Sequence, residues 1–350
     1  MASRAPGALA PRHHPGVGGE CRRFPSAAYL LRPRPRHALC AAVKTEHTFC
    51  LRRLAVQPGR FSRTAEFMAL FRALESARPA GKALFRDPFA EGFVDPALRR
   101  LVRWSAMPMA GLLLRTFIDR FWPGARTSGV ARTRLIDDWV AEAIAKGCRQ
   151  LVVLGAGFDS RAWRLPDLSG LPVFEVDHPS TAAAKSGRLQ ALGADRSRVV
   201  AVALDFDRDR LADRLATAGF DATKVTMVVW EGVTNYLTEN AVLSVFAWAG
   251  TLVPGSRLAF TYIHRGVLTD PTRFEGAPRI MLAVSSAGEP WTFGLYPQSL
   301  AYSLAPFGLQ LLEDLGADDY RARYFGKSAA RMRGYAFYRA ALAAVKRPDA

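Results

Sequence analysis

The chain has 350 residues, 49% of them hydrophobic and 11% aromatic, which supports a sizeable packed core and excludes a disordered protein. The formal net charge of +17 is concentrated: residues 1–56 hold ten Lys/Arg against Glu20 and Glu46, so that segment carries +8 and the other 294 residues only +9. A mild basic surface without a reading module does not point to nucleic acid.

Residues 1–56 contain RPRPRH at 32–37, clustered glycine and almost no acid. Such a segment cannot bury enough apolar surface to fix its backbone, and it reads as a disordered basic Pro/Arg-rich extension. It lacks the apolar core of a secretory signal. Cys21, Cys40 and Cys50 lie in it and Cys148 in the body, with no CxxC and no ligand-spaced Cys/His cluster. No disulfide framework and no metal site is expected, and the compartment is reducing and cytoplasmic.

Residues 57–146 are predicted to form a helical N-terminal cap. Thr64–Arg78 carries apolar residues at helical spacing and ends at Pro79-Ala-Gly81. A turn-rich segment, Leu84–Asp95, precedes helical stretches at Pro96–Arg103 and Met107–Phe121. Trp122-Pro-Gly124 breaks the chain before an amphipathic helix at Ala131–Lys146. The apolar run Ala106–Ile118 is interrupted by Arg115, and Ala241–Val253 is too short to span a bilayer, so no transmembrane helix and no membrane partner is expected.

From 147 to 345 the pattern alternates. Apolar, β-branched runs at 150–154, 172–176, 198–204, 225–230 and 257–263 are separated by helical segments at about 179–193, 208–219 and 239–252. Continuous apolar strands between helices predict a mostly parallel sheet covered on both faces. Residues 264–297 form an irregular insertion with Phe274, Trp291, Phe293 and Tyr296 among Gly, Pro and Ser, which reads as a lid. A helix and two more strands, Leu309–Asp314 and Gly334–Arg339, complete seven strands.

Ligands of open α/β sheets bind at the carboxyl ends of the strands. Here those ends read GAGFDSR (155–161), Glu175-Val-Asp177-His178, Asp205-Phe206 and Glu231-Gly232, so each delivers a carboxylate. Asp177 lies 22 residues beyond Gly155, the spacing at which an acid meets a ribose diol. Asp159 would repel a pyrophosphate from the glycine loop, whereas a sulfonium and an ammonium favour it. The spacing is shared by both ligands, and it is the Asp159 charge that favours S-adenosyl-L-methionine over a dinucleotide.

The series ARTRLIDDWV (131–140), QLVVLGAGFDSRAWRL (150–165), FEVDHP (174–179), ALDF (203–206) and WEGVTNYL (230–237) resembles the leucine carboxyl methyltransferase-like family, in its actinobacterial branch of S-adenosyl-L-methionine-dependent methyltransferases. The similarity covers about residues 62–340. It implies a class I, Rossmann-like methyltransferase fold, with Gly155 and Gly157 flanking the methionine part and Asp177 on the ribose hydroxyls. Asp205 and the Phe206 backbone would hold the adenine. Glu231 would sit at the amino acid end, and Arg132 or Arg134 would pair with the cofactor carboxylate. ALDF departs from the family pattern, in which leucine often follows the aspartate. The resemblance adds a bias towards oxygen, so the expected activity is O-methylation of a small organic acid or phenol. A carboxylate needs no base; a phenol would use one, and His264 and Tyr236 are the candidates, with His178 better suited to capping. A nicotinamide-dependent oxidoreductase and a non-catalytic cofactor-binding protein are the alternatives, and nothing in the chain speaks to oligomeric state.

Overall fold

A computed structural model describes residues 63–346. The chain separates into two units, Met1–Arg53 and Leu54–Ala350, and every described residue belongs to the second. The basic extension expected at 1–56 lies outside the described residues.

Four helices open the described chain: α1 (Arg63–Ser76), α2 (Pro96–Ser105), α3 (Pro108–Phe121) and α4 (Ala125–Ala145). Proline begins both α2 and α3, where its missing N–H costs nothing. Asp95 caps α2 by accepting from the Ala97 N–H at 2.8 Å. Gly124 turns the chain into α4 with φ 92°; a Cβ there would stand 2.9 Å from the Gly334 carbonyl carbon.

The sheet follows: β1 (Gln150–Leu154), β2 (Val173–Asp177), β3 (Val199–Ala203), β4 (Thr226–Trp230), β5 (Arg257–Ile263), β6 (Leu309–Leu315) and β7 (Tyr338–Val345), in the order β3-β2-β1-β4-β5-β7-β6. The first five strands are parallel, and β7 runs antiparallel between β5 and β6. Helices α5 (Pro179–Ala191), α6 (Leu211–Thr217) and α7 (Glu239–Gly250) make the crossovers. Two further helices of nine residues or more lie outside this repeat, α8 (Ala277–Ser286) and α9 (Ala317–Phe325). This is a class I, Rossmann-like methyltransferase sheet.

Period-two alternation divides each strand between two cores. Val152, Leu154, Val228 and Trp230 face α6 and α7, while Leu151, Val153, Met227 and Val229 face α4. Both sets are buried, which is why the strands read as unbroken apolar runs. The strand order reverses between β1 and β4, and this switch point positions the site.

Three expectations need correction. The helix expected at 131–146 in the cap begins at Ala125 and belongs to the sheet: Leu135, Ile136, Trp139 and Val140 cover β1 and β4. Its first turn, ARTS, is too polar to announce itself by hydrophobic period. The last strand lies at 338–345 rather than 334–339. Its alanine-rich YRAALAAV has little intrinsic β preference, and pairing on both edges decides the conformation. The insertion at 264–297 is not irregular throughout, since it contains α8.

Candidate functional site

The loop after β1 needs its glycines. Gly155 and Gly157 have φ of 62° and 45°, and a Cβ on Gly155 would stand 2.3 Å from Val233 Cγ2. The Gly157 N–H donates to Asp177 Oδ2 at 2.6 Å and the His178 N–H to Oδ1 at 2.7 Å. Asp177 thus straps the glycine loop to the end of β2, and each oxygen keeps a lone pair for a ligand hydroxyl. Burial pushes its carboxyl above the ordinary range, against these two N–H donors. His178 Nδ1 faces the Ser180 N–H at 3.3 Å, a cap on α5.

At the end of β3 the Leu204 N–H donates to the Asp177 carbonyl at 3.0 Å, which sets Asp205 and Phe206 beside Asp177. The Asp205 carboxylate accepts from the Asp207 N–H at 3.1 Å. Its own N–H is taken by Asp209 at 2.9 Å. The Phe206 N–H meets no acceptor among the described residues, and its ring stacks towards Trp230 at 6.5 Å.

Glu231, after β4, enters an ionic cluster. Arg132 Nε donates to Oε1 at 2.9 Å and Arg161 Nη2 to Oε2 at 2.8 Å. Arg161 also pairs with Asp137 at 2.8 Å and with Asp159, and Arg164 reaches Asp137 at 2.6 Å. No side chain among these six is more than 15% exposed. Three carboxylates therefore meet three guanidiniums. Burial alone would raise the Asp159 carboxyl, but Arg161, Lys185 and Arg164 outweigh it and bring it to about 2. Burial likewise disfavours the Glu231 carboxylate, and Arg161 with Arg132 holds its pKa below the ordinary value.

This corrects the reading of Asp159 as an acid awaiting a cationic ligand. Its charge is matched by Arg161, two residues on in the same GAGFDSR, a partner that sequence reasoning left out. The two candidate arginines also separate. Arg132 is buried in the cluster, with its guanidinium 4.6 Å from the Tyr338 ring centroid. Arg134, two residues along the helix, points to another side, pairing with Asp138 at 2.8 Å and donating to the Leu84 carbonyl at 2.7 Å. It is not brought to the site.

Helix α1 covers this cluster. Met68 Sδ lies 3.5 Å from Arg132 Nη2, and the Ala65 methyl would be 3.3 Å from a Cβ on Gly157. Arg72 Nε and Ser160 Oγ both donate to Asp87 Oδ2, at 2.8 and 2.6 Å. Sequence reasoning took α1 as a cap helix; its contribution to the glycine loop left no local signal.

The segments that follow β4 and β5 are rich in donors. Tyr236 Oη lies 3.4 Å from Thr64 Oγ1, which donates to Glu289 Oε2 at 2.6 Å, and burial pushes the Tyr236 phenol up. Asn235 is fully buried, with its Oδ1 accepting from Tyr338 Oη at 3.3 Å and its carbonyl accepting from the Thr292 N–H at 2.8 Å. Asn235 Nδ2 has no hydrogen-bond partner among the described residues, and the Trp291 side chain faces the Tyr236 hydroxyl. His264 follows β5 with its ring between Phe274 at 5.0 Å and Tyr296 at 5.5 Å. The Gly266 N–H donates to His264 Nδ1 at 3.0 Å, so the neutral ring carries its proton on Nε2. Burial, then the charges of Arg339 and Arg273, lowers its pKa. Of the four aromatics expected in the lid, Phe293 instead packs into the main core beneath α7.

The family model for leucine carboxyl methyltransferase matches residues 65–250. A candidate S-adenosyl-L-methionine-dependent methyltransferase of Mycolicibacterium paratuberculosis is 32% identical over 74% of this chain and 88% of its own length. One from Frankia alni is 36% identical over 67% of this chain and 78% of its own. A crystal structure of a DUF574 family protein from Streptomyces avermitilis superimposes with a TM-score of 0.50 at 16% identity, covering 79% of this chain and 97% of that one, and shows the shared fold. The chain belongs to the leucine carboxyl methyltransferase family and is an S-adenosyl-L-methionine-dependent methyltransferase.

Proposed function

We propose that this member of the leucine carboxyl methyltransferase family acts in the cytoplasm and methylates an oxygen of a small organic acceptor, a carboxylate before a phenol. The observation that carries the choice is the backbone hydrogen bond on His264 together with the burial of Tyr236. His264 has its Nδ1 lone pair occupied by a backbone N–H, so its other nitrogen is a donor. Tyr236 is held as a neutral phenol. Neither is arranged to take a substrate proton, and an acceptor that is already anionic needs none removed.

S-adenosyl-L-methionine, when bound, supplies an electrophilic methyl group on its sulfonium. The residues at the strand ends fit it. Asp177 offers two carboxylate oxygens to a diol, and the Phe206 N–H with Asp205 offers a donor and an acceptor to adenine. Gly155 and Gly157 leave the loop open to close approach, while Arg132 and Glu231 suit a carboxylate and an ammonium. Asp159 holds Arg161 and so fixes Glu231. On the acceptor side Tyr236 Oη and Asn235 Nδ2 supply hydrogen-bond donors to a carboxylate oxygen, in a wall of aromatic side chains that excludes water. The chain's contribution to the rate is placement and desolvation.

Incubation with methyl-labelled cofactor and a panel of acids, phenols and amines tests the reading. Label released as methanol by mild alkali marks an ester and supports it. Label confined to nitrogen, or found only in a polymer, would overturn it.

A further inference from the structure

We infer that the α2–α3 hairpin is a docking surface for an anionic lipid bilayer. Helix α3 turns Ala110, Gly111 and Leu114 inwards. Its opposite stripe carries Met109, Leu112, Leu113 and Phe117 at 69, 55, 58 and 57% exposure, continued at the hairpin tip by Met107 at 51% and Trp104 at 47%. A polar outer face is the rule for a surface helix, and apolar side chains concentrated in this way mark an interaction site. The hairpin holds them rigidly: a Cβ on Gly111 would stand 2.2 Å from the Ser105 carbonyl oxygen, so the two helices are in close contact.

Charge selects the occupant. Residues 96–121 contain five arginines and one acid, Asp119, and Asp119 is taken by Arg126 at 2.6 Å. Exposed Arg100 and Arg120 therefore flank the apolar stripe with no free carboxylate in the hairpin, while exposed Arg103 pairs with Glu91 outside it. A second copy of this face would bring positive charge against positive charge. Residues 1–56, at +8, carry the same sign. An anionic headgroup layer satisfies both features, with the apolar side chains inserted at the acyl boundary and the arginines at the phosphates. No helix among the described residues is long and apolar enough to cross a membrane, so the docking is peripheral. It revises the expectation of no membrane partner, which rested on the absence of a span. Arg279 of α8 bonds the Phe121 carbonyl, so the docked hairpin lies beside the lid.

Co-sedimentation of the full chain with vesicles tests this, using equal parts phosphatidylglycerol and phosphatidylcholine against phosphatidylcholine alone. The protein should partition onto the anionic vesicles only. Leu113→Glu/Phe117→Glu should weaken that partitioning at least tenfold with an unchanged melting temperature, and Arg100→Glu/Arg120→Glu should do the same. No binding by the wild-type chain overturns the proposal. So does undiminished binding by Leu113→Glu/Phe117→Glu, which would assign it to charge elsewhere in the chain. Light scattering that shows a dimer split by that variant would make the face a contact between copies and also overturn it.

Discussion

Asp159→Asn removes one charge from the arginine cluster while keeping its shape. Burial opposes the Asp159 carboxylate, yet Arg161, Lys185 and Arg164 bring its pKa from 3.8 down to about 2. At about 1.4 kcal/mol for each tenfold change, ionisation of this group contributes roughly 2 kcal/mol to the folded state. The pKa is depressed on folding, so the contribution is complete above the unfolded value of 3.8 and is lost as pH falls through about 2. Urea unfolding at neutral pH should place the variant roughly 2 kcal/mol below wild type. The two stabilities should converge as the pH falls through that window. Calorimetric titration with S-adenosylhomocysteine should show less than about a tenfold loss of affinity, because the carboxylate faces Arg161 rather than the ligand, and NAD(H) should gain nothing. Equal stability at neutral pH, or a gap that persists in acid, would refute the assignment.

Other variants separate the remaining roles. Arg132→Ala removes one of the two guanidiniums on buried Glu231, leaving Arg161 in place, and should cost roughly 1–3 kcal/mol in stability. Arg134→Ala removes a half-exposed helix pair and should stay within about 0.5 kcal/mol with unchanged cofactor affinity; the reverse pattern would exchange the two arginines. Asp177→Ala should weaken S-adenosylhomocysteine by about 1–3 kcal/mol, or roughly 5- to 150-fold by titration, and unchanged affinity would misplace the ribose. His264→Gln should leave the neutral-pH profile of kcat/KM unaltered, since its ring is a donor; loss of a limb from that profile would restore it as a base.

The strand-end half of the proposed site was legible as a cluster because its signals are local. A glycine loop after an apolar strand, and an acid at each strand end, lie within a few residues of the backbone features they serve. Even so, reading the acids alone misjudged the electrostatics. Asp159 and Arg161 are neighbours in one motif, but only the fold shows that Arg161 also reaches Asp137 and Glu231, so that the carboxylates are neutralised before any ligand arrives. The proposed acceptor half had no such signal. Thr64 and Glu289 are 225 residues apart and Thr64 and Tyr236 are 172 apart, and nothing in either neighbourhood announces the other. The hairpin fails differently. Hydrophobic period identifies an apolar stripe, not whether anything covers it, and α3 carries one stripe inwards and another outwards. For such a helix the sequence argues only for burial of both, and the uncovered one becomes visible when the fold leaves it facing outwards.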